Sequence, residues 1–328
     1  MTYLRRTLLA VLASAVVSLP VQSALAQAKY PARAIKLIIP FPAGGLFDTV
    51  GRPLADKLKD HLGAIVVENV GGAGSRRGAA IAAAAEPNGY TLFLAGNGSH
   101  LVAPLAATKL KYDPLKDFEP IALLGTTGMA IAVHPDQPFK MLPELIDFIQ
   151  NNPGKLSFGS AGTGSMTHLT GELFKLRASA PGIVHVPYTG GAPQVNDLLG
   201  GHIPMGVITM TAQFFDLHRT GKLRLLAVTT PSRAKELPGV PAAVETVPGM
   251  IALNFAGLYA PKGTAKEIIA QISAAVSKVM ADPELQKRYR AGGFEPELRN
   301  TPEVMRDYLD KELKTWAPVI KASGFRIK

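Results

Sequence analysis

The 328-residue chain contains no cysteine and only one tryptophan, and charged residues make up just 18% of it. The absence of cysteine excludes disulfides, thiolate metal sites and cysteine nucleophiles, so folding must depend on the burial of apolar side chains. Acidic residues are also scarce, since 25 Asp and Glu face 35 Lys and Arg for a formal net charge of +10. Such an excess attracts anions. No run of Lys or Arg exceeds two residues, however, so we expect no nucleic-acid partner.

Long apolar runs are also rare, and the most pronounced one lies at the N-terminus. Arg5 and Arg6 precede an apolar stretch at 8–19, and an A-x-A sequence follows at 24–26. This succession of basic, apolar and small residues is typical of a secretory signal peptide, and the run is too short for the ~20 residues of a membrane span. We predict a signal peptide at residues 1–26, cleaved after Ala26.

Short apolar runs alternate with helical patterns along the remaining chain, which is typical of an α/β fold. The apolar run 118–135 is longer than one strand and has Gly125 and Gly128 in its middle, which suits a chain that leaves one domain and enters another. We expect the chain to return near residue 230. Two crossings predict two α/β domains joined by a hinge, with a ligand cleft between them. The predicted domains are residues 27–124 with 230–328, and residues 125–229.

A helical pattern follows the first predicted strand, residues 34–41. Apolar residues recur at every fourth position from Val50 to Leu62, which indicates one buried helix face. Asp48 precedes this face and is placed to cap the helix. Pro53 lacks a backbone donor, so we expect a kink or a late helix start there.

Common cofactor and catalytic motifs fail on their spacing. Arg77 stands where a dinucleotide-binding fingerprint after residue 71 would need its third glycine, and both Gly-Lys pairs precede leucine, so neither forms a P-loop. The seven histidines lack metal-binding spacing, and the serines beside the glycine loops lack a nucleophile elbow. We expect no cofactor, no metal and no catalytic residue. His100 and His168 leave two interpretations open, a general base or a structural hydrogen-bonding group.

Small and hydroxylated residues follow several predicted strands. Where such loops lead into helices, free backbone N–H groups form an anion site without a cationic side chain. Glycine permits close approach of a ligand, and Ser and Thr add donors. Any one loop is equally well explained as a turn or a cap, but several at strand ends favour a ligand site. The loops are Gly44-Gly45, Gly71-Gly72, Gly98-Ser99, residues 162–165 and Thr189-Gly190.

A series of short sequences resembles one protein family. They are YPARAIKLIIPFPAGGLFD, VVEN followed by GAG, PNGYTL, YDPLKDFEPIALL, NPGKLSFGSAGTGS, GELF, HVPYTGGAP and GKLRLLAVT. Each is weak alone, but in this order they are specific, and they extend from about Tyr30 to the C-terminus. The chain is similar to the periplasmic solute receptors of tripartite tricarboxylate transporters, which are also called Bug proteins.

The resemblance implies a type II periplasmic binding-protein fold and a monomeric receptor in the periplasm. It also implies a small mono- or dicarboxylate ligand and delivery of that ligand to the membrane permease subunits of the transporter. The ligand-binding residues that it implies are Phe41, Ala43, Gly44, Gly45, Asp48, Gly98, Ser99, His100, Ala161, Thr163, Gly164, Ser165, His168, Tyr188, Thr189 and Thr209.

The chain departs from the family pattern at positions that bear on the ligand. Ile208 and Thr209 stand where the family often has Asp-Asn, so an acidic partner for a ligand amino group is missing. Leu46 and Phe47 are bulkier and more apolar than the small polar pair common there. We therefore expect a non-amino carboxylate, aliphatic or aromatic.

Two other functions remain open at this point. A hydrolase or lyase would need a nucleophile or metal constellation that the sequence does not display. An exported sensor of the same fold, which signals its ligand state to a membrane kinase, has no feature in the chain to separate it from a transport receptor.

Overall fold

The computed structural model describes residues 30–327. The predicted signal peptide and its cleavage site lie outside the described residues. The compact unit that begins at Arg33 contains all the strands and helices discussed below. Within residues 30–327, no helix combines the length and the apolar character needed to cross a bilayer.

The described chain is an α/β protein with ten strands and ten α-helices. The strands are β1 Ile35–Ile39, β2 Ile65–Asn69, β3 Thr91–Gly96, β4 Phe118–Val133, β5 Ser157–Ser160, β6 Val184–Pro187, β7 Met205–Thr209, β8 Arg224–Val228, β9 Leu253–Pro261 and β10 Glu295–Pro296. The helices are α1 Leu46–Leu62, α2 Arg76–Ala83, α3 Ala103–Ala106, α4 Leu142–Asn151, α5 Met166–Arg177, α6 Gly191–Leu199, α7 Ala212–Arg219, α8 Lys266–Met280, α9 Pro283–Ala291 and α10 Pro302–Ser323.

Strand β4 belongs to two halves of the sheet. The first sheet half contains β1, β2, β3, β9, β10 and the part of β4 that pairs with β9, residues 118–128. The second sheet half contains β5, β6, β7, β8 and the end of β4, which pairs with β7 over residues 129–133. The long apolar run 118–135 is thus a single strand of 16 residues, and it carries the chain from one sheet half into the other.

Strand direction determines where the loops lie. Strands β1, β2 and β3 are mutually parallel, and β3 is linked to β4 through one intervening strand, β9, which is antiparallel to both. These three strands therefore run in the direction of β4. Strands β5, β6 and β7 are mutually parallel and run against β4. The carboxyl ends of the two parallel sets consequently point toward each other along β4.

Burial of apolar side chains on β4 stabilises this arrangement. Its residues 129–133 are all 0% exposed, because strands flank β4 on both edges and helices cover its faces. Trp316 of α10 is 1% exposed and donates its indole N–H to Glu312 across 3.0 Å. The sequence of a strand that is buried on both faces is a continuous apolar run, without the apolar–polar alternation of a half-exposed strand.

The start of α1 differs from the sequence prediction. Gly45 is the N-cap residue and α1 begins at Leu46, so Asp48 lies in the first turn and is not the cap. Pro53 lies inside α1, and the late start expected from it is wrong. The helix tolerates Pro53 because burial of its apolar face, Val50, Leu54 and Leu58, offsets the missing backbone hydrogen bond.

Candidate functional site

Each of the five glycine loops leads into the first turn of a helical segment. Gly45, Ser165 and Gly190 are the N-cap residues of α1, α5 and α6. Gly72 precedes a short 3₁₀ turn before α2, and Asn97 precedes a π-helical turn before α3. The sequence prediction that these loops follow strands and that several of them lead into helices is therefore confirmed. Their first backbone N–H groups have no partner inside the helix and lie at the positive end of its dipole.

The register of the strands fixes how far apart the two groups of loops begin. Gly96 at the end of β3 is level with Ala256, which is level with Gly125 of β4. Thr209 at the end of β7 is level with Met129 of β4. Four residues of strand separate the two levels, which corresponds to about 13 Å at ~3.3 Å per residue. The loops of the two sheet halves thus face a common space above the middle of β4.

The loop 41–45 presents exposed backbone at the start of α1. Residues 42–45 are exposed, and Gly44 has a φ of +87° that favours glycine. The N–H groups of Gly45, Leu46 and Phe47 make no hydrogen bond among residues 30–327. Three unpaired donors at a helix N-terminus form a site suited to an anion.

Asp48 holds this loop in place. Its carboxylate accepts hydrogen bonds from the Gly44 N–H at 3.0 Å, from Arg52 Nε at 2.9 Å and from Asn69 Nδ2 at 3.0 Å. Asn69 also donates to the Phe41 carbonyl at 2.9 Å and accepts from Arg52 Nη2 at 2.6 Å. Burial raises the pKa of Asp48, but the bonds from Arg52, Gly44 and Asn69 outweigh it and leave the pKa below its ordinary value. Asp48 is therefore an ionised brace whose two oxygens are both occupied.

Phe47 is buried beside the loop, where it supports the partly exposed Phe41. Its ring stacks on that of Phe41 with 4.7 Å between centroids. A Cβ added at Gly96, at the end of β3, would collide with the Phe47 ring. The ring fits there because residue 96 is glycine. The bulky residue noted in the sequence is thus packed between the loop 41–45 and β3.

The loop 161–165 is the counterpart in the second sheet half. Its own side chains and those of α5 satisfy some of its donors, since the Ala161 N–H bonds Thr167 Oγ1 at 2.9 Å and the Gly164 N–H bonds His168 Nδ1 at 3.1 Å. Ser165 caps α5 by accepting from the His168 N–H at 3.2 Å. Within the described residues, three N–H groups near this helix start have no partner: those of Thr163, Met166 and Thr167.

His168 supports the loop from within and does not present its ring to the surface. The residue is 5% exposed, and its ring stacks on His185 with 4.1 Å between centroids. Because Nδ1 accepts the Gly164 N–H, the ring proton of the neutral form is on Nε2. Burial lowers the pKa of His168 to about 4, with a smaller contribution from Lys175. The structural interpretation of this histidine is favoured over that of a general base.

Ser99 and His100, which the resemblance places among the ligand-binding residues, have side chains that lie in the core. Both are 0% exposed. Ser99 Oγ lies within bonding distance of the Gly96 carbonyl at 3.2 Å, and the His100 ring packs 4.4 Å from that of Tyr259. Burial lowers the pKa of His100 to about 3, so the ring is neutral. Among the predicted site residues Gly98, Ser99 and His100, only Gly98 is partly exposed, so only its backbone is accessible beside the loops.

The second glycine loop of the second sheet half contains Tyr188 and Thr189. The Tyr188 hydroxyl donates to Asp197 Oδ2 at 2.7 Å, and its N–H donates to the Ser160 carbonyl at 3.0 Å. Thr189 is exposed. A Cβ at Gly162 would lie 2.8 Å from the Tyr188 carbonyl, so this loop and the loop 161–165 are in direct contact.

Thr209 and Asn254 meet at the junction of the sheet halves. Thr209 Oγ1 lies 3.7 Å and Asn254 Nδ2 lies 3.8 Å from the sulfur of Met129, and both residues are partly exposed. The sequence reasoning missed Asn254, which extends from β9 on the far side of β4. Its signal is weak, because one polar residue at the start of an apolar strand looks like an ordinary strand end.

Among residues 30–327, no three His, Asp or Glu side chains lie close enough together to hold a metal ion. The arrangement instead offers backbone donors, hydroxyl groups and apolar surface. These groups can bind an anion that carries an apolar body and release it without chemical change.

The family model for the tripartite tricarboxylate transporter family receptor matches residues 50–325. Protein BugT of Bordetella pertussis is 32% identical over 324 residues, which cover 98% of each chain. The solved structure of periplasmic binding protein BugD is 32% identical with a TM-score of 0.78, covering 91% of this chain and 100% of that one.

Two further solved structures contain a carboxylate. Rpa4515 of R. palustris with adipate is 29% identical with a TM-score of 0.81, covering 90% of this chain and 99% of that one. MatC from Rhodopseudomonas palustris with bound malate is 29% identical with a TM-score of 0.77, covering 89% of this chain and 100% of that one. The periplasmic binding-protein fold expected from the sequence is thereby confirmed, and the similarity is to receptors and not to enzymes.

Proposed function

We propose that this chain, which belongs to the tripartite tricarboxylate transporter receptor family, is an exported receptor that binds a small non-amino carboxylate between its two groups of loops. The observation that carries the proposal is the pair of helix starts with unpaired N–H groups, at Gly45 to Phe47 and at Thr163, Met166 and Thr167, which follow strands whose carboxyl ends point toward each other along β4. A carboxylate accepts several such bonds and gains from the helix dipoles.

The expected ligand lacks an amino group. Asp48 already has both oxygens bonded by Gly44, Arg52 and Asn69, so it is not available to an ammonium. Ile208 is 2% exposed and apolar, which leaves Thr209 as the hydroxyl at the end of β7. An ammonium placed here would be desolvated without a charged partner, and that is costly.

Apolar contact favours a chain or a ring that carries the carboxylate. Phe41, which is partly exposed and stacks on the buried Phe47, supplies such surface beside the loop 41–45, and burial is favourable by roughly 25 cal/mol per Å². The relatives whose structures contain adipate and malate support a dicarboxylate. A carboxylate at each end of a ligand can reach both groups of loops.

Parallel calorimetric titrations test the proposal, with adipate, malate, benzoate, terephthalate, aspartate and glutamate as ligands. We expect at least one of the first four to bind at least about tenfold more tightly than either amino acid, which corresponds to ~1.4 kcal/mol. Tighter binding of aspartate or glutamate would show that the ligand class is wrong. Absence of binding by all six would count against a carboxylate receptor of this kind.

Domain closure belongs to the same proposal. We assign residues 27–124 with 230–328 to one domain and 125–229 to the other, with hinges at the crossing of β4 near Gly125 and at the return near residue 230. The two sheet halves and the bonds that join Thr229 to Met129 and Ala252 support this division. A ligand that contacts both groups of loops selects the closed form. Small-angle scattering should give a smaller radius of gyration with saturating ligand, and an unchanged radius would contradict the hinge.

Delivery to a membrane permease completes the proposal. A receptor in the periplasm must release its ligand to membrane subunits, and the predicted signal peptide at residues 1–26 agrees with export. Export with cleavage after Ala26 is tested by N-terminal sequencing of the protein from a periplasmic extract. A monomer is expected, and light scattering of the purified chain tests this.

A further inference from the structure

The last residues of the chain extend from the first sheet half to the loop 161–165. Helix α10 ends at Ser323, and its C-cap residue Gly324 turns the chain with a φ of +65°. The Ile327 N–H then donates to the Ala106 carbonyl at 2.9 Å, and the Thr108 N–H donates to the Ile327 carbonyl at 3.0 Å. These two bonds fix the tail, residues 324–327, to the segment after α3, which follows β3 of the first sheet half.

Phe325 lies between the end of α10 and Ile327, and its ring contacts the second sheet half. A Cβ added at Gly164 would lie only 2.5 Å from Cζ of Phe325. The Phe325 ring also meets the His168 ring edge-on, with 5.4 Å between centroids and an interplanar angle of 83°. Gly164, with a φ of +83°, therefore needs glycine both for its backbone conformation and for its contact with Phe325.

The contact covers one specific hydrogen bond. The Gly164 N–H donates to His168 Nδ1 at 3.1 Å, and the Phe325 ring packs against both partners. A hydrogen bond shielded from water is electrostatically stronger than one that water can reach. This bond fixes the shape of the loop 161–165 and therefore the direction of its unpaired donors, the N–H groups of Thr163 and Met166.

We propose that Phe325 is a positioning residue for the ligand site: it packs on Gly164 and His168 and holds the loop 161–165 in its binding shape from the opposite sheet half. The consequence for affinity rests on the proposed function. The consequence for the loop itself does not, because the Gly164–His168 bond exists without a ligand.

The charged and titratable groups around His168 allow a spectroscopic test. His185 of β6 stacks on the ring, Glu172 of α5 lies 3.8 Å from Nε2, and Lys175 of α5 adds a positive charge. The tail contributes no charge through Phe325, so its effect on the ring is exclusion of water. Loss of Phe325 should therefore raise the pKa of His168 from about 4 toward its ordinary value of 6.5.

The first experiment uses the full mature chain without ligand and compares Phe325→Ala, Phe325→Leu and Arg326→Ala with the wild type. Nuclear magnetic resonance measures hydrogen exchange at the Gly164 amide and the titration of the His168 ring. In Phe325→Ala we expect exchange at least about tenfold faster and a higher pKa of His168. Phe325→Leu should recover part of both effects. Arg326→Ala removes an exposed side chain that bonds the Phe325 carbonyl at 2.8 Å but leaves the Phe325 ring in place, so it should match the wild type. Wild-type exchange and titration in a folded Phe325→Ala would overturn the proposal.

The second experiment measures adipate affinity by calorimetry for the same variants. We expect the dissociation constant to rise at least about fivefold in Phe325→Ala, with partial recovery in Phe325→Leu. Binding by the wild type with no change in Phe325→Ala would overturn the ligand-positioning role. If the wild type does not bind adipate, that result counts against the proposed function, and the exchange measurement still decides the role of Phe325. Should Phe325→Ala fail to fold, the comparison of Phe325→Leu with Arg326→Ala decides both measurements.

Discussion

Replacement of Asp48 by Asn distinguishes three roles for this carboxylate. As a brace, Asp48 holds the loop 41–45 through Gly44, and its loss should weaken both folding and ligand binding. As a negative charge near an anion site, its loss should strengthen binding. As a partner of a ligand ammonium, its loss should weaken aspartate binding alone. The bonds to Gly44, Arg52 and Asn69 favour the first role.

The expected magnitude follows from the contacts. The Asp48 side chain is 10% exposed and accepts bonds from three donors, and a bond to a charged group contributes about 1.5–3 kcal/mol. Asn keeps one acceptor oxygen, but the NH2 group that replaces the other oxygen cannot accept a hydrogen bond from a second donor. Arg52 is 47% exposed on its side chain, so water replaces part of what it loses. We therefore expect Asp48→Asn to lower the free energy of unfolding by about 2 kcal/mol, the low end for such bonds.

Urea unfolding and calorimetric titration of adipate at pH 7 measure the two effects. Asp56→Asn is the matched control on the same helix, because its carboxylate is 69% exposed and pairs only with Lys59 at 2.7 Å. That variant should change stability by less than about 1 kcal/mol and leave adipate affinity unchanged. Tighter adipate binding by Asp48→Asn, or stability equal to that of the control, would refute the bracing role.

Two other changes test the loop and the buried histidines. Gly44→Ala should weaken adipate binding about fivefold or more in calorimetry, because its φ of +87° costs an L-residue ~1 kcal/mol, whereas Gly63→Ala, which has a similar φ of +66° at the other end of α1, should bind like the wild type; equal affinities of the two variants would contradict this account of the loop. Burial lowers the pKa of both His168 and His185 to about 4, so the unfolded chain binds more protons between pH 6.5 and about 4. The free energy of unfolding should therefore decrease as the pH is lowered from 6.5 to about 4, by on the order of 3 kcal/mol for the His168 ring alone. His168→Gln should reduce the slope of urea-derived stability against pH, and the control His61→Gln on the surface of α1 should not; equal slopes in the two variants would contradict the assignment.

The order of the elements was accessible from the sequence because its signals are local. The strand predicted at 34–41 contains β1, and the buried helix face predicted from Val50 to Leu62 lies on α1. Apolar periodicity and glycine between elements act over a few residues, so they can be read without knowledge of the fold. Helices α6 and α7 were missed, since both follow directly on apolar strands and are short.

The roles of individual polar side chains were less accessible. His100 and His168 looked equivalent in the sequence, as single histidines beside glycine loops. In the structure His100 lies in an aromatic part of the core, and His168 holds the Gly164 N–H. Asp48 looked like a helix cap, but it bonds Asn69, which is 21 residues away along the chain. Such partners depend on which strands are neighbours, and that is a long-range property.

The sequence by itself determined the α/β class, the five loops rich in glycine and the placement of several of them before helices. Those features depend on backbone freedom and on side-chain periodicity, which are properties of short segments. The tertiary structure alone decided that the carboxyl ends of the two parallel sets point toward each other along β4, that both oxygens of Asp48 are occupied, and that Phe325 meets Gly164. The register of β4 and the burial of its neighbours bring together residues that are far apart in the chain, and no local pattern encodes those contacts.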